Sequence, residues 1–177
     1  SVASIWHQMG MVHRDAGAYD AAEAAYRKAL EINTRINNRR GQANSLTTLG
    51  ILYADNLNRL EEAVTFCRQA ADIFAKAKDL RGEGVTRNNI ADVLRKLGRY
   101  EAARSEITRA IECYQPFGTA VELWNAYGVL HEIEAAEGHA AAARAAWGQA
   151  RDAYLAYRRQ GGYAQATSGE IADHVVS

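Results

Sequence analysis

Three asparagines set the first chemical question this sequence poses. Asn44, Asn88 and Asn125 each stand near the start of a helical segment, in similar though not strictly equal register. A carboxamide offers a donor and an acceptor together, so a row of them can hold the backbone of an extended polypeptide whatever its side chains are. The same residues also read as polar positions on a solvated face, or as helix caps, and both readings stay open. Arg40 and Arg81 occupy equivalent links, each followed by glycine. A guanidinium there can fork onto an acidic partner. A solvated link, or a cap for the carbonyls of the preceding helix, accounts for them equally well.

Catalytic and metal chemistry find less support. His7 and His13 are six apart and point in different directions on a helix, while a predicted turn separates His131 from His139. No Cys/His cluster has zinc spacing. Cys67 and Cys113 form no C-x-x-C pair and read as small core residues of a reduced, cytoplasmic protein. No serine has the strand–turn–helix setting of a nucleophile, and Gly82-Glu83-Gly84 is a short link, not a phosphate loop. Carboxylates are plentiful, but acid–base catalysis needs a closed pocket that tunes them. The expectation is no enzyme, no metal and no cofactor.

The elements that position these residues come from a repeat. One helix-hairpin pattern recurs four times every 40 to 41 residues. Gly10, Gly50, Ala91 and His131 share one register; Ala22, Ala63, Ala103 and Ala143 a second; Ala29, Ala70, Ala110 and Ala150 a third. Such a period indicates a solenoid, in which each hairpin packs only on its neighbours and a long surface is presented. Composition agrees with an all-helical chain. Apolar residues make up 48% of the 177, with Ala prominent, and Pro116 is the single proline. Lys plus Arg and Asp plus Glu both number 21, so there is no basic excess of the kind that binds nucleic acid. No apolar stretch is long enough to span a bilayer, and no signal-peptide pattern opens the chain.

In the first copy Ile5, Trp6, Met9, Gly10, Val12 and His13 follow helical spacing. Gly17 suits the left-handed turn that ends a helix, and Asp20 the start of its partner, whose inward face is Ala22, Tyr26, Ala29 and Leu30. Trp6, Met9, Gly10, His13, Gly17, Tyr19, Ala22, Tyr26 and Ala29 together resemble the tetratricopeptide repeat, and the three later copies match in the same register. There are departures. The second turn, 55–59, has one extra residue and no glycine, so Asn56 or Asn58 is expected in the left-handed position. His131 replaces a glycine in the fourth copy, which predicts a more open hairpin. The period exceeds the family's ordinary 34 residues. In this it is similar to kinesin light chain, to spindle-orientation adaptors and to C-terminal arrays of bacterial signalling NTPases and transcription regulators.

The resemblance implies an all-α, right-handed α-solenoid of four antiparallel hairpins, a single domain over 1–177, with repeats at about 3–42, 43–83, 84–123 and 124–162. Pro116 should end the sixth helix near Tyr114. Gly161-Gly162 should end the eighth, with a capping helix over about 163–176. It also implies a non-enzymatic scaffold that binds a protein or peptide, but neither nucleic acid nor membrane. In the family the first helix of each hairpin lines the concave groove. That selects His7, Met11, Arg14 and Asp15; Asn44, Thr47, Ile51 and Asp55; Val85, Asn88, Asp92, Arg95 and Lys96; and Asn125, Gly128 and Glu132. A sensor or oligomerisation array excised from a larger signalling NTPase or regulator is the alternative. Its support is the stretch Ala153-Tyr154-Leu155-Ala156-Tyr157-Arg158-Arg159 before the glycine pair. With no cap before Ser1, the chain reads as cut from a longer polypeptide, and its N-terminal face as a site of self-association.

Overall fold

The computed structural model describes residues 1–117 and 120–159. Its eight α-helices pair into four hairpins: α1 (Val2–Asp15) with α2 (Tyr19–Arg35), α3 (Arg39–Ile51) with α4 (Leu60–Lys76), α5 (Leu80–Lys96) with α6 (Tyr100–Tyr114), and α7 (Ala120–Ala136) with α8 (Ala140–Arg159). There is no strand among the described residues, and no helix there is long and apolar enough to cross a membrane. The expected capping helix and the glycine pair lie outside the described residues.

Small residues bring each hairpin together. A Cβ on Gly10 would stand 2.4 Å from the Tyr26 ring, and one on Gly50 would stand 2.3 Å from Cys67 Sγ. Ala91 and Ile107, at the same registers of the third hairpin, are both fully buried. This close approach, filled by one larger residue from the facing helix, is the packing unit of the array.

The turns are cut by left-handed residues. Gly17, Gly98 and Gly138 have φ of 74°, 71° and 79°, and Asn58 takes the same place at 51°. At three of these turns an amide bonds back five residues: Ala18 to His13, Arg99 to Leu94 and His139 to Glu134. The second turn absorbs its extra residue differently. After α3 the chain widens into one turn of π-helix, Leu52–Asn56, and the Arg59 amide bonds back six residues to the Tyr53 carbonyl at 2.8 Å.

The links between hairpins explain the recurrent Arg-Gly pairs. Asn38 and Asp79 cap α3 and α5, accepting from the Gly41 and Gly82 amides at 3.1 and 3.0 Å. Gly41 packs under Asn33 and Gly82 under Phe74, with no room for a Cβ. The intervening arginines lie inside the first helical turn, not in a free link. Arg40 reaches forward to Asp79 at 3.4 Å, and Arg81 to Glu122 at 2.6 Å. Each therefore ties its hairpin to the next and leaves the preceding carbonyls alone. The sixth helix does end at Tyr114, followed by a 3-10 turn over Gln115–Phe117 around Pro116.

The fourth hairpin corrects an expectation. His131 does not open it: Nδ1 donates to the Ala143 carbonyl at 2.9 Å, and the ring rests against Trp147 at 5.3 Å. The volume of the imidazole is accommodated by moving the facing side chain outward. Trp147 is 39% exposed, whereas Tyr26, Cys67 and Ile107 at its register are buried.

Candidate functional site

Polar contacts join successive first helices, and α5 also packs directly on α7. Thr47 and Thr86 hydroxyls meet at 3.2 Å, Lys96 Nζ donates to Asp55 at 3.3 Å, and Arg95 Nε lies 3.1 Å from Glu132. Between second helices the corresponding tie is Arg99 to Glu61. These contacts tie the second, third and fourth hairpins together along α3, the π-turn after it, α5 and α7, where the groove residues expected in those hairpins stand.

The charged members of that set pair with one another, three carboxylates with two cations in the main ladder. Asp55, Lys96, Asp92, Arg95 and Glu132 form one alternating ladder across three hairpins, with Lys96 2.9 Å and Arg95 2.7 Å from Asp92. Burial pushes the Asp92 carboxyl up, but hydrogen bonds from Lys96 and Arg95 outweigh it and hold the group below its usual range. In the first hairpin Arg14 pairs with the adjacent Asp15 at 3.0 Å. Thr47 also donates to the Ala43 carbonyl, so its hydroxyl is committed within the protein.

The amides behave otherwise. Among the described residues, the side chains of Asn44, Asn88 and Asn125 make no hydrogen bond within the protein. Asn44 and Asn125 are exposed, while Asn88 is half-buried and its Oδ1 is shut off from solvent without a donor. An unmade bond of that kind costs about 1–3 kcal/mol. One turn further along the chain from Asn125, a Cβ on Gly128 would meet no atom within 4 Å, which leaves open space on α7.

Two clefts divide the remaining residues. A polar one of about 340 Å³ lies between the first two hairpins and brings together His7, Gln8, Asn33, Asn38, Arg40 and Asn44. The His7 ring is tilted against Tyr26 at 5.4 Å; burial, then the nearby Arg14 charge, lowers its pKa. A narrow cleft of about 50 Å³ collects Ile51, Asp55, Asn89 and Asp92. Met11 and Val85 stand exposed outside both. Asn89, Gln8, Asn33 and Asn38 escaped sequence reasoning, and only their helical neighbourhood to residues already chosen could have found them.

Other ionic clusters lie elsewhere among the described residues, such as Glu23 with Arg27 and the Tyr53 hydroxyl. Glu83, 2% exposed, receives Arg87 at 2.8 Å and Arg109 at 3.0 Å, and Arg87 also donates to Glu106 at 2.7 Å. These bonds lock α5 to α6, and they pull the Glu83 pKa down against the upward push of burial. At the last turn Glu134, Glu137 and His139 bring ligand atoms within 4.8 Å of one another, the kind of grouping that holds a metal. Here Arg104 takes the cationic role, bonded to Glu134 at 2.6 Å and to Glu137, while His139 donates to Glu134 at 2.8 Å. Hydrogen bonding from Arg104 holds the Glu134 carboxyl below its ordinary range.

Comparison with known proteins bears on the fold. The tetratricopeptide repeat family model matches residues 1–76 and 56–115. BtubC from P. vanneervenii superposes with a TM-score of 0.79 at 18% identity, over 95% of this chain and 68% of that one. Aspartyl phosphate phosphatase F from Bacillus subtilis gives 0.80 at 19%, over 92% of this chain but 41% of that one. MamA protein gives 0.52 at 16%, covering 95% and 98%. No curated protein sequence matches the chain.

Proposed function

The chain belongs to the tetratricopeptide repeat family, and from that membership we propose that it is a non-enzymatic scaffold whose first-helix face binds an extended protein segment. One observation carries the reading. The charged residues of that face are paired among themselves, whereas Asn44, Asn88 and Asn125 have carboxamides with no partner in the protein. A surface of this kind suits the main chain of a partner better than its charges, because the exposed Asn44 and Asn125 amides can each accept from an N–H and donate to a carbonyl, while Asn88, its Oδ1 closed to solvent, offers its N–H groups. His7, Met11, Thr47, Ile51, Asp92, Arg95 and Glu132 then form walls around the row, with Arg14 at its N-terminal end.

The lack of net charge supports a protein partner over nucleic acid or a membrane surface. The two buried, free thiols support a reducing, cytoplasmic setting. The test is affinity capture from source lysate, read by mass spectrometry, with wild type beside the Asn44→Ala, Asn88→Ala double variant. A partner held by wild type at 0.5 M salt (on the order of a 4 Å Debye length) and lost by the variant is the expected result. Equal capture by both, or release of the partner by salt alone, would overturn the amide-row reading.

A further inference from the structure

The face of α7 that meets α5 has a gap where the other first helices carry a side chain. Gly128 stands at the register of His7, Thr47 and Asn88, and a Cβ added to it would meet no atom within 4 Å. Asn125 lies one turn before it and Glu132 one turn after, so the three share one face of the helix. Glu132 reaches back to Arg95 of α5 at 3.1 Å, and α5 packs directly on α7. The gap therefore opens between two neighbouring first helices within the described array, not beyond its end. Its floor is bare backbone, with an exposed carboxamide at one end and a carboxylate at the other.

The ionic ladder that ends at Glu132 is short of one cation. Asp55, Asp92 and Glu132 share only Arg95 and Lys96. Asp92 takes both cations, whereas Asp55 and Glu132 each keep a single contact. The cations are also the more covered members: the Arg95 and Lys96 side chains are 28% and 37% exposed, those of Glu132 and Asp55 55% and 56%. The ladder thus shows a carboxylate to solvent at each end. At the Asp55 end the adjoining cleft is only about 50 Å³ and is walled by Ile51 and Asn89. At the Glu132 end the space over Gly128 is open.

We propose that the gap over Gly128 is a subsite for one basic side chain, Lys or Arg, of the extended segment that the first-helix face binds, an inference that rests on the amide-row reading. The aliphatic stem of the guest lies along the bare α7 backbone and its cationic head reaches the Glu132 carboxylate. Arg95 Nε contacts Glu132 Oε2, which leaves Oε1 for the guest. One turn away, the Asn125 amide bonds the main chain of the same segment. An acidic side chain in this place would meet Glu132 at like charge and is refused. Because the pair is open to solvent, it selects the residue at one position of the partner and adds little to total affinity.

Selection from a randomised library of peptides of about 12 residues, roughly 40 Å when extended, against the 177-residue chain tests this. Selected peptides should share a Lys or Arg at one fixed place. Resynthesised with Gln there, a selected peptide should bind wild type about 2–5-fold more weakly at about 0.1 M salt, read by fluorescence anisotropy. In the Glu132→Gln variant the two peptides should bind alike, with Arg95 still held by Asp92. Gly128→Leu fills the gap and should abolish the same preference. It should melt no lower than wild type, since nothing stands within 4 Å and leucine favours a helix over glycine. Selected peptides that are lost by the Asn44→Ala, Asn88→Ala variant but share no basic residue would overturn the subsite and leave the amide row standing. So would a loss on the change to Gln that is as large in both α7 variants as in wild type. Selection of no peptide at all would overturn both readings.

Discussion

Replacing Glu83 with Gln should expose how much the third hairpin depends on one buried charge. The carboxylate receives Arg87 and Arg109, and the substitution keeps its shape while removing its charge. A charge-assisted hydrogen bond to a well-buried partner contributes about 1.5–3 kcal/mol, which applies to Arg87 at 23% exposure. Arg109 is 43% exposed, so solvent screening reduces its share to about 0.2–1 kcal/mol. Arg87 retains Glu106 and Arg109 retains Glu112, so neither guanidinium is stranded. The net loss at pH 7 is about 2–3 kcal/mol, a fall of roughly 4–12 °C in melting temperature for a chain of this size. Glu83 has a folded pKa below its unfolded value. Its stabilisation is therefore complete above the ordinary carboxylate value of about 4.3 and is lost as pH falls through the lower folded value. Circular-dichroism melts of both proteins from pH 7 downward should show the difference shrinking towards zero in acid. Equal melting at pH 7, or a difference that stays constant to about pH 2.5, would refute the account.

Two further outcomes follow from the packing. Burial pushes the Cys67 thiol up to about 12, and Cys113 is raised as well, chiefly by burial and the nearby Glu83. Neither should react with an aromatic disulfide reagent at pH 8 until denaturant is added, and a fast native-state thiol would contradict the buried placement. Gly50→Ala places a methyl 2.3 Å from Cys67 Sγ and 3.2 Å from the Ala63 carbonyl, forcing α3 from α4 at a cost of about 1–3 kcal/mol in urea unfolding. Adding Cys67→Ala should recover part of that loss, and strictly additive effects would show that the two residues do not share the space.

The repeat itself could be read from small residues alone. Gly10, Gly50 and Ala91 recur because close helix approach tolerates little or no side chain there, and Ala22, Ala63, Ala103 and Ala143 because the facing helix has the same constraint. Gly17 and Gly98 mark their turns for a local reason, the left-handed φ, and Asn58 was one of two residues able to replace glycine. The π-turn at Leu52–Asn56 was not visible, since an extra residue can equally bulge, loop out or lengthen a turn. The same limit applied to His131. A large side chain in a small-residue register suggests separation, but the ring found a carbonyl acceptor and displaced Trp147 instead.

Sequence determined the fold class and the hairpin registers, because helix periodicity and capping are local and repeat with the chain. Only the tertiary structure decided that Lys96 meets Asp55 and Arg95 meets Glu132 across hairpins, that Arg40 and Arg81 reach forward to the next repeat, and that Arg104 sits among Glu134, Glu137 and His139. Those pairings join residues about 30 to 41 positions apart, so they follow from the stacking distance and rotation between hairpins. Neither quantity is written in any one repeat. They emerge when bulky residues such as Phe74 and Tyr114 settle against Gly82 and Gly84.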